Sequence, residues 1–307
     1  MWFLVEKLWI EVSLKVLSKK LLLLIIPAFV VSLSWFLSNA LMFPGGSVCN
    51  QDQFVYCQTP GEMGFSFENF EVESTDKVKL SGWWIPRAGS TKTIIFSHGH
   101  GGDRHEGLRF LRALHEAGFS VIAFDYRGTG RSGGDFNSMT FYERQDLHHI
   151  VSYAEARGST SIGVHGFSQG GSIALFTMAE DQRILAGVME ASFANAKKVV
   201  SEAAFSRYFV PEFPLVDLAA YFFKLRTGVD LGKMLPVESV SKIDAKRLLI
   251  IHAKNDPFVP IHHAHDLLAA APNSQSWLYD DNHHARAWQF DKDKAETLVV
   301  EHFKRWL

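Results

Sequence analysis

The sequence predicts an α/β protein: a mostly parallel central sheet flanked by helices, with a helical cap insert, carried behind one N-terminal transmembrane helix. Three observations lead there. Short runs rich in Val, Ile and Phe alternate with helical segments across residues 69–307. A stretch without any charged residue runs from Leu21 to Gln51. The composition is that of an ordinary folded chain, with 307 residues, 47% hydrophobic, 21% charged and a net charge of −2. That composition excludes a disordered or collagen-like chain and supplies no basic surplus for nucleic acid.

Residues 21–43 are apolar apart from Pro27, three serines and Asn39. About 20 such residues span a bilayer as a helix, and the polar face of a core helix is missing. Lys7, Lys15, Lys19 and Lys20 precede the span, and no Lys or Arg follows until Lys77. The positive-inside rule places residues 1–20 in the cytoplasm and the rest outside it, periplasmic if the host is a bacterium. Residues 2–17 are spaced as an interfacial helix on the cytoplasmic face, with a poorly ordered tail as the equal alternative. Ser38-Asn39-Ala40 fits a small-x-small cleavage pattern, but the apolar core is long, so an uncleaved signal anchor is expected. The chain has two cysteines, which excludes a disulfide scaffold or a four-cysteine zinc site. Cys49 and Cys57 follow the span closely, and outside the cytoplasm they are expected to bridge.

Residues 44–68, rich in Gly, Pro and Gln, read as a linker. The domain proper covers 69–307. Strands are expected at 78–83, 93–97, 120–124, 161–165, 187–190, 248–252 and 276–279, and helices at 104–117, 140–157, 170–180, 261–271 and 291–306. Short buried strands alternating with helices make a parallel sheet covered on both faces. Residues 193–240 break the alternation and carry Phe193, Phe205, Tyr208, Phe209, Phe213, Tyr221, Phe222 and Phe223. This is a helical cap, whose aromatics either line an apolar substrate pocket or form the cap's own core.

The chemistry-bearing motif is Gly166-Phe167-Ser168-Gln169-Gly170-Gly171, between an expected strand and an expected helix. Gly166 and Gly170 flank the serine because the chain must turn sharply there. The turn exposes the Ser168 hydroxyl and aims the Gln169 N–H at the same point. A serine hydroxyl needs a general base, and the base needs an orienting acid. In a strand–elbow–helix setting these follow in the order acid, then histidine. Asp256 follows the strand at 248–252, and two adjacent histidines, His283 and His284, follow the last strand.

These motifs resemble the α/β-hydrolase superfamily, and within it the membrane-anchored ABHD13-like and Bem46-like branch, over about residues 70–307. The matching pieces are Phe96-Ser97-His98-Gly99-His100-Gly101-Gly102, Asp125 to Gly133, the serine elbow, Asp256 and His284. The resemblance favours His284 over His283 as the base, although the loop Asp280-Asp281-Asn282-His283 lacks the glycines usual in relatives. It also implies an oxyanion hole from the N–H of Gln169 and that of His100. It makes the Asp125 segment chiefly structural, although Asp125 remains an alternative carboxylate.

The expected activity is hydrolysis of a carboxylic ester or thioester through a Ser168, His284, Asp256 triad and an acyl-enzyme. Amide or peptide cleavage, and a non-catalytic binding module, are the alternatives. The expected partners are a small-molecule or lipid-like acyl substrate and the membrane. No cofactor is expected, and no metal, since neither His148-His149 nor His262-His263-x-His265 comes with an evident carboxylate.

Overall fold

The computed structural model describes residues 23–49 and 55–307. The expected cytoplasmic lysines, the interfacial helix at 2–17 and the first two residues of the span lie outside the described residues. The first helix, α1 (Leu23–Met42), is long and apolar enough to cross a membrane, and only 11% of its most apolar window is buried. A core helix would be mostly buried. The buried positions are Ser34, Ser38 and Met42, four residues apart on one face.

Beyond it stand β1 (Glu68–Glu73), β2 (Lys79–Ile85), β3 (Lys92–Ser97), α2 (Leu111–Glu116), β4 (Ser120–Phe124), α3 (Phe141–Ala156), β5 (Ser161–Phe167) and α4 (Gln169–Glu180). Then follow β6 (Ile184–Glu190), α5 (Ala196–Tyr208), α6 (Asp217–Thr227), α7 (Pro236–Val240) and β7 (Leu248–Ala253). The chain ends with α8 (His262–Ala270), β8 (Gln275–Tyr279), α9 (Ala287–Phe290) and α10 (Lys292–Trp306).

The eight strands form one sheet in the order β1-β2-β4-β3-β5-β6-β7-β8. β1, β2 and β4 pair antiparallel, and every pair from β4 through β8 is parallel. Side-chain alternation sorts the core into two layers. Ile95, Ile122, Val164 and Ile250 face α3, α4, α7 and α8, whereas Ile94, Val121, Val188 and Leu249 face α2, α9 and α10. Two boundaries differ from the sequence reading. The helix expected at 104–117 is a 3-10 segment, Glu106–Phe110, followed by the short α2. The last element of the expected cap, α7, packs through Val240 on the sheet-facing core, so the part raised over the sheet is α5 and α6.

The order reverses at β3 and β5: the chain steps from β3 outward to β4, then back to β5 and on toward β8. Loops leaving the carboxyl ends of strands at such a switch point enclose the binding crevice of open α/β sheets. The loops after β3, β5, β7 and β8 all open there.

Candidate active site

Ser168 occupies the turn between β5 and α4 with φ 52° and ψ −120°, a backbone conformation costly for any residue but glycine. A Cβ on Gly166 would collide with the Gly171 backbone, and one on Gly170 with the Ser97 carbonyl. The flanking glycines are therefore required by the turn. The Ser168 N–H donates to the Glu190 carbonyl at 2.7 Å, which ties the elbow to the end of β6. Gln169 is the first residue of α4, so its N–H is one of the orphan donors of the helix N-terminus. Its side chain is held by the Asn137 Oδ1 acceptor at 2.9 Å.

The loop after β3 lies against the elbow: a Cβ on Gly99 would sit 3.2 Å from the Ser168 Cβ. This glycine-rich loop is held at several points. The Gly99 N–H donates to Glu106 Oε2 at 2.6 Å, and the Gly102 N–H to the Gly99 carbonyl at 3.0 Å. The Gly101 carbonyl accepts from the Ser47 N–H at 3.0 Å, and His100 Nε2 donates to the Leu41 carbonyl at 3.0 Å. The end of α1 and the segment after it thus brace the loop carrying the His100 amide. The same segment holds a Cys49–Cys57 disulfide.

His284 Nδ1 lies 2.7 Å from Asp256 Oδ2. The other oxygen of Asp256 accepts from the N–H groups of Phe258 at 2.8 Å and Val259 at 2.9 Å. Burial pushes this carboxyl up, but the His284 ring and the two N–H groups together outweigh burial and hold it below the usual range. An ionised Asp256 only accepts, so His284 Nδ1 is the donor of this pair, and in the neutral ring Nε2 is then the nitrogen with the lone pair. His283 points elsewhere, with Nδ1 2.9 Å from Asp281 Oδ1, and is exposed. Ser168 and His284 line one cavity of about 760 Å³, with no hydrogen bond between them in this structure. Asp125 takes no part. It is buried against Arg104 Nη2 at 2.6 Å and caps the Arg131 N–H at 2.7 Å.

Three further residues hold the site, and the sequence does not single them out. Glu106 fixes Gly99, as above. Arg109 Nη1 donates to the Ala285 carbonyl at 2.8 Å, next to His284, and its guanidinium lies 3.8 Å from Glu106. Glu190 accepts from the Ala287 N–H through its side chain at 3.0 Å while its carbonyl holds Ser168. An i, i+3 pair such as Glu106 and Arg109 is the single available signal, and it is a common surface pattern.

The cap supplies the carboxylate that His262-His263 lacks in sequence. Glu202 of α5 reaches His262 Nε2 at 2.7 Å and His263 Nε2 at 3.0 Å. This donor set does not suit a cation. The Ala194 N–H donates to His263 Nδ1 at 3.2 Å, which leaves the ring proton on Nε2, the atom a metal would need free. Burial, aided by the charges of His262 and Lys198, lowers the His263 pKa to about 3 and keeps the ring neutral. The cluster is a hydrogen-bonded clasp between the cap and α8.

The cap aromatics divide. Phe193 and Phe223 are buried with Met42 of α1 in the cap's own core, Phe193 and Tyr208 line the cavity, and Phe205, Phe209, Phe213 and Tyr221 are exposed.

Comparison with known proteins agrees with this architecture. Residues 89–215 match the family model described as serine aminopeptidase, S33. The chain is 29% identical over 208 residues to the lysophosphatidylserine lipase ABHD12 of Gallus gallus, covering 64% of this chain and 51% of that one. It is 29% identical over 170 residues to protein bem46 of Schizosaccharomyces pombe, covering 52% and 53%. The esterase Pf2001 of Pyrococcus furiosus superposes with a TM-score of 0.71 at 27% identity, covering 86% of this chain and 98% of that one. With the sheet order and the serine elbow already described, these likenesses identify the chain as a hydrolase of the α/β-hydrolase superfamily, similar to the Bem46 and ABHD proteins.

Proposed function

We propose that the chain is a membrane-anchored serine hydrolase that cleaves a carboxylic ester or thioester through Ser168, His284 and Asp256. The observation that carries this reading is the Asp256–His284 pair at 2.7 Å, facing the same cavity as Ser168 on its strained turn. In the mechanism, Ser168 Oγ adds to the acyl carbon while His284 Nε2 takes its proton. Asp256 holds the ring and offsets its positive charge. The N–H groups of Gln169 and His100 stabilise the oxyanion. Collapse breaks the acyl–oxygen or acyl–sulfur bond, and the leaving group takes the proton from His284. Water, deprotonated by the same nitrogen, then releases the acid and restores Ser168.

On this reading α1 crosses the bilayer as an uncleaved signal anchor, and the domain at 69–307, including its cap, lies outside the cytoplasm. The Cys49–Cys57 disulfide suits that compartment. The esterase and lipase likenesses favour an acyl ester over a peptide. An aminopeptidase site would also need a free carboxylate for the substrate's amine. Among the described residues Glu106 is the one carboxylate lining the cavity, and it is occupied by Gly99 and Arg109.

The test is labelling of the full-length protein in its membrane with a fluorophosphonate probe, beside Ser168→Ala. The expected result is labelling of the wild type and none of the variant. A natively folded wild type that resists the probe would overturn the reading and leave a binding module.

A further inference from the structure

Two features of the cavity play no part in the acyl chemistry. The first is charge. Arg207 of α5 and Arg286 of the loop after β8 both line the cavity, and neither has a carboxylate partner among the described residues. Arg207 lies over the Phe258 ring, 4.3 Å from its centre, and that ring lies 5.2 Å from the His284 ring. This cation therefore stands one aromatic ring away from the base. With Glu106 already engaged, two arginines without a carboxylate partner among the described residues remain in the cavity lining. Guanidinium forks match phosphate and carboxylate oxygens, and unpaired cations facing a cleft attract an anion.

The second feature is depth. Leu37, Ala40 and Leu41 of α1 form part of the cavity wall. Leu37 is five residues before the end of the helix at Met42, about 7.5 Å at the helical rise. The 20 described residues of α1 measure about 30 Å, the thickness of the hydrocarbon layer itself. At that level Arg226 of α6 donates to Ser38 Oγ and Asn39 Oδ1 at 2.7 Å, so the wall meets the bilayer at its polar interface. The rim agrees: Tyr208 lines the cavity and is exposed, and its neighbours Phe205 and Phe209 are exposed apolar rings continuous with it on the last turn of α5. Aromatic rings in that number belong at a membrane interface rather than in water. α6 lies along α1, with Phe222 against Trp35 at 5.4 Å, so cap and anchor present one surface.

We propose that the substrate is an anionic acyl amphiphile drawn from the bilayer itself, its chain entering along α1 and its negatively charged headgroup held between Arg207 and Arg286. This rests on the serine-hydrolase reading above and adds the substrate class, the route and the two residues that set specificity. α1 is on this view a wall of the site as well as a tether.

The test uses the full-length protein in lipid nanodiscs, with three substrates sharing one oleoyl ester: lysophosphatidylglycerol, lysophosphatidylcholine and monooleoylglycerol. The expected kcat/KM for the anionic lipid exceeds that for the other two by roughly tenfold or more, the discrimination a charge-assisted pair supplies. In the Arg207→Gln, Arg286→Gln double variant the ratio falls toward one. Arg207→Glu, a change at an exposed position, inverts it. Equal turnover of the three lipids by the wild type, or a preference untouched in these variants, overturns the headgroup assignment. A fourth arm offers the short-chain, water-soluble ester of glycerol phosphate: turnover equal to that of the bilayer-embedded anionic lipid overturns the membrane route. Labelling of Ser168 by the fluorophosphonate probe separates the two levels. A labelled enzyme without headgroup preference refutes this inference alone, whereas an unlabelled one refutes the hydrolase reading beneath it.

Discussion

Arg109 Nη1 donates to the Ala285 carbonyl at 2.8 Å, joining two segments 176 residues apart. Ala285 has a positive φ of 49° and directly follows the proposed base, so this bond sets where His284 points. The same guanidinium lies 3.8 Å from Glu106, which in turn holds the Gly99 N–H. One short helical turn thereby positions both the base and the loop of the oxyanion site.

Arg109→Gln is accordingly expected to act through position. Displacing a reacting group by about an ångström costs up to 10²-fold in rate. A fall in kcat of roughly 10- to 100-fold with little change in KM is the expected outcome, measured with a soluble ester. Arg109→Lys should recover little, because one ammonium cannot reach Ala285 and Glu106 in the fork geometry. A raised KM at unchanged kcat would show that Arg109 binds substrate instead.

Asp256→Asn presents an amide to His284 Nδ1 and allows the proton to settle on Nε2, the wrong nitrogen for a base. The expected loss in kcat is roughly 10³- to 10⁴-fold. His284→Ala should be similarly inactive, whereas His283→Ala should stay within about twofold of wild type, because its ring lines the cavity yet pairs with Asp281 at 2.9 Å rather than with Asp256. Activity lost in His283→Ala and kept in His284→Ala would reverse the assignment of the base.

The contrast between these residues shows what a sequence discloses. Ser168 is legible because an elbow is local: strand, two glycines and helix all lie within a dozen residues. The proposed acid, Asp256, follows from position, since an acid must leave a strand at the switch-point end of the sheet. Between His283 and His284 the residues alone leave the choice open, and the 2.7 Å approach of Asp256 marks one of them. Glu106, Arg109 and Glu190 are illegible because their roles exist only across the fold. The same holds for Glu202, whose pairing with His262 and His263 joins cap to α8 across some 60 residues. The cap boundary fails for a related reason: α7 mixes apolar and polar residues as α5 and α6 do, and only tertiary packing assigns it to the sheet layer.

Acid stability is the next prediction. His263 and His302 are almost fully buried, at 0% and 2% exposure. Burial, with nearby His262 and Lys198 for the first and Arg305 for the second, lowers them to about 3 and about 4. Protons therefore bind the unfolded chain, near pH 6.5, before they bind the folded one. The stabilisation is full above the unfolded value and is lost as pH falls from 6.5 toward 4 and 3. Each group loses about 1.4 kcal/mol per pH unit in that window, so the pair should cost about 3 kcal/mol between pH 7.5 and 5.5. Chemical denaturation at the two pH values measures it, and His302→Leu should remove about half the difference. A stability that rises on acidification would refute the neutral assignment of both rings.

The last prediction concerns the compartment, through Cys49 and Cys57. Their sequence separation of 8 closes a small loop, and closing it stabilises the fold by about 2.5 kcal/mol in the chain-entropy model. The bridged cysteines adjoin the site: Ser47, two residues before Cys49, donates to the Gly101 carbonyl at 3.0 Å, and Tyr56, next to Cys57, lines the cavity. Replacing both cysteines by serine should therefore lower the melting temperature and loosen the oxyanion loop, lowering kcat by a few-fold. The bond also reports topology, because a structural disulfide persists outside the cytoplasm and is kept reduced within it. Protein taken from intact cells and denatured at once in a maleimide reagent should gain no label without reductant, and two labels with it. The anchor orientation read from Lys7, Lys15, Lys19 and Lys20 requires that result. Two free thiols at the moment of lysis would place the catalytic domain on the cytoplasmic side, and the anionic lipid it meets would then belong to the inner leaflet.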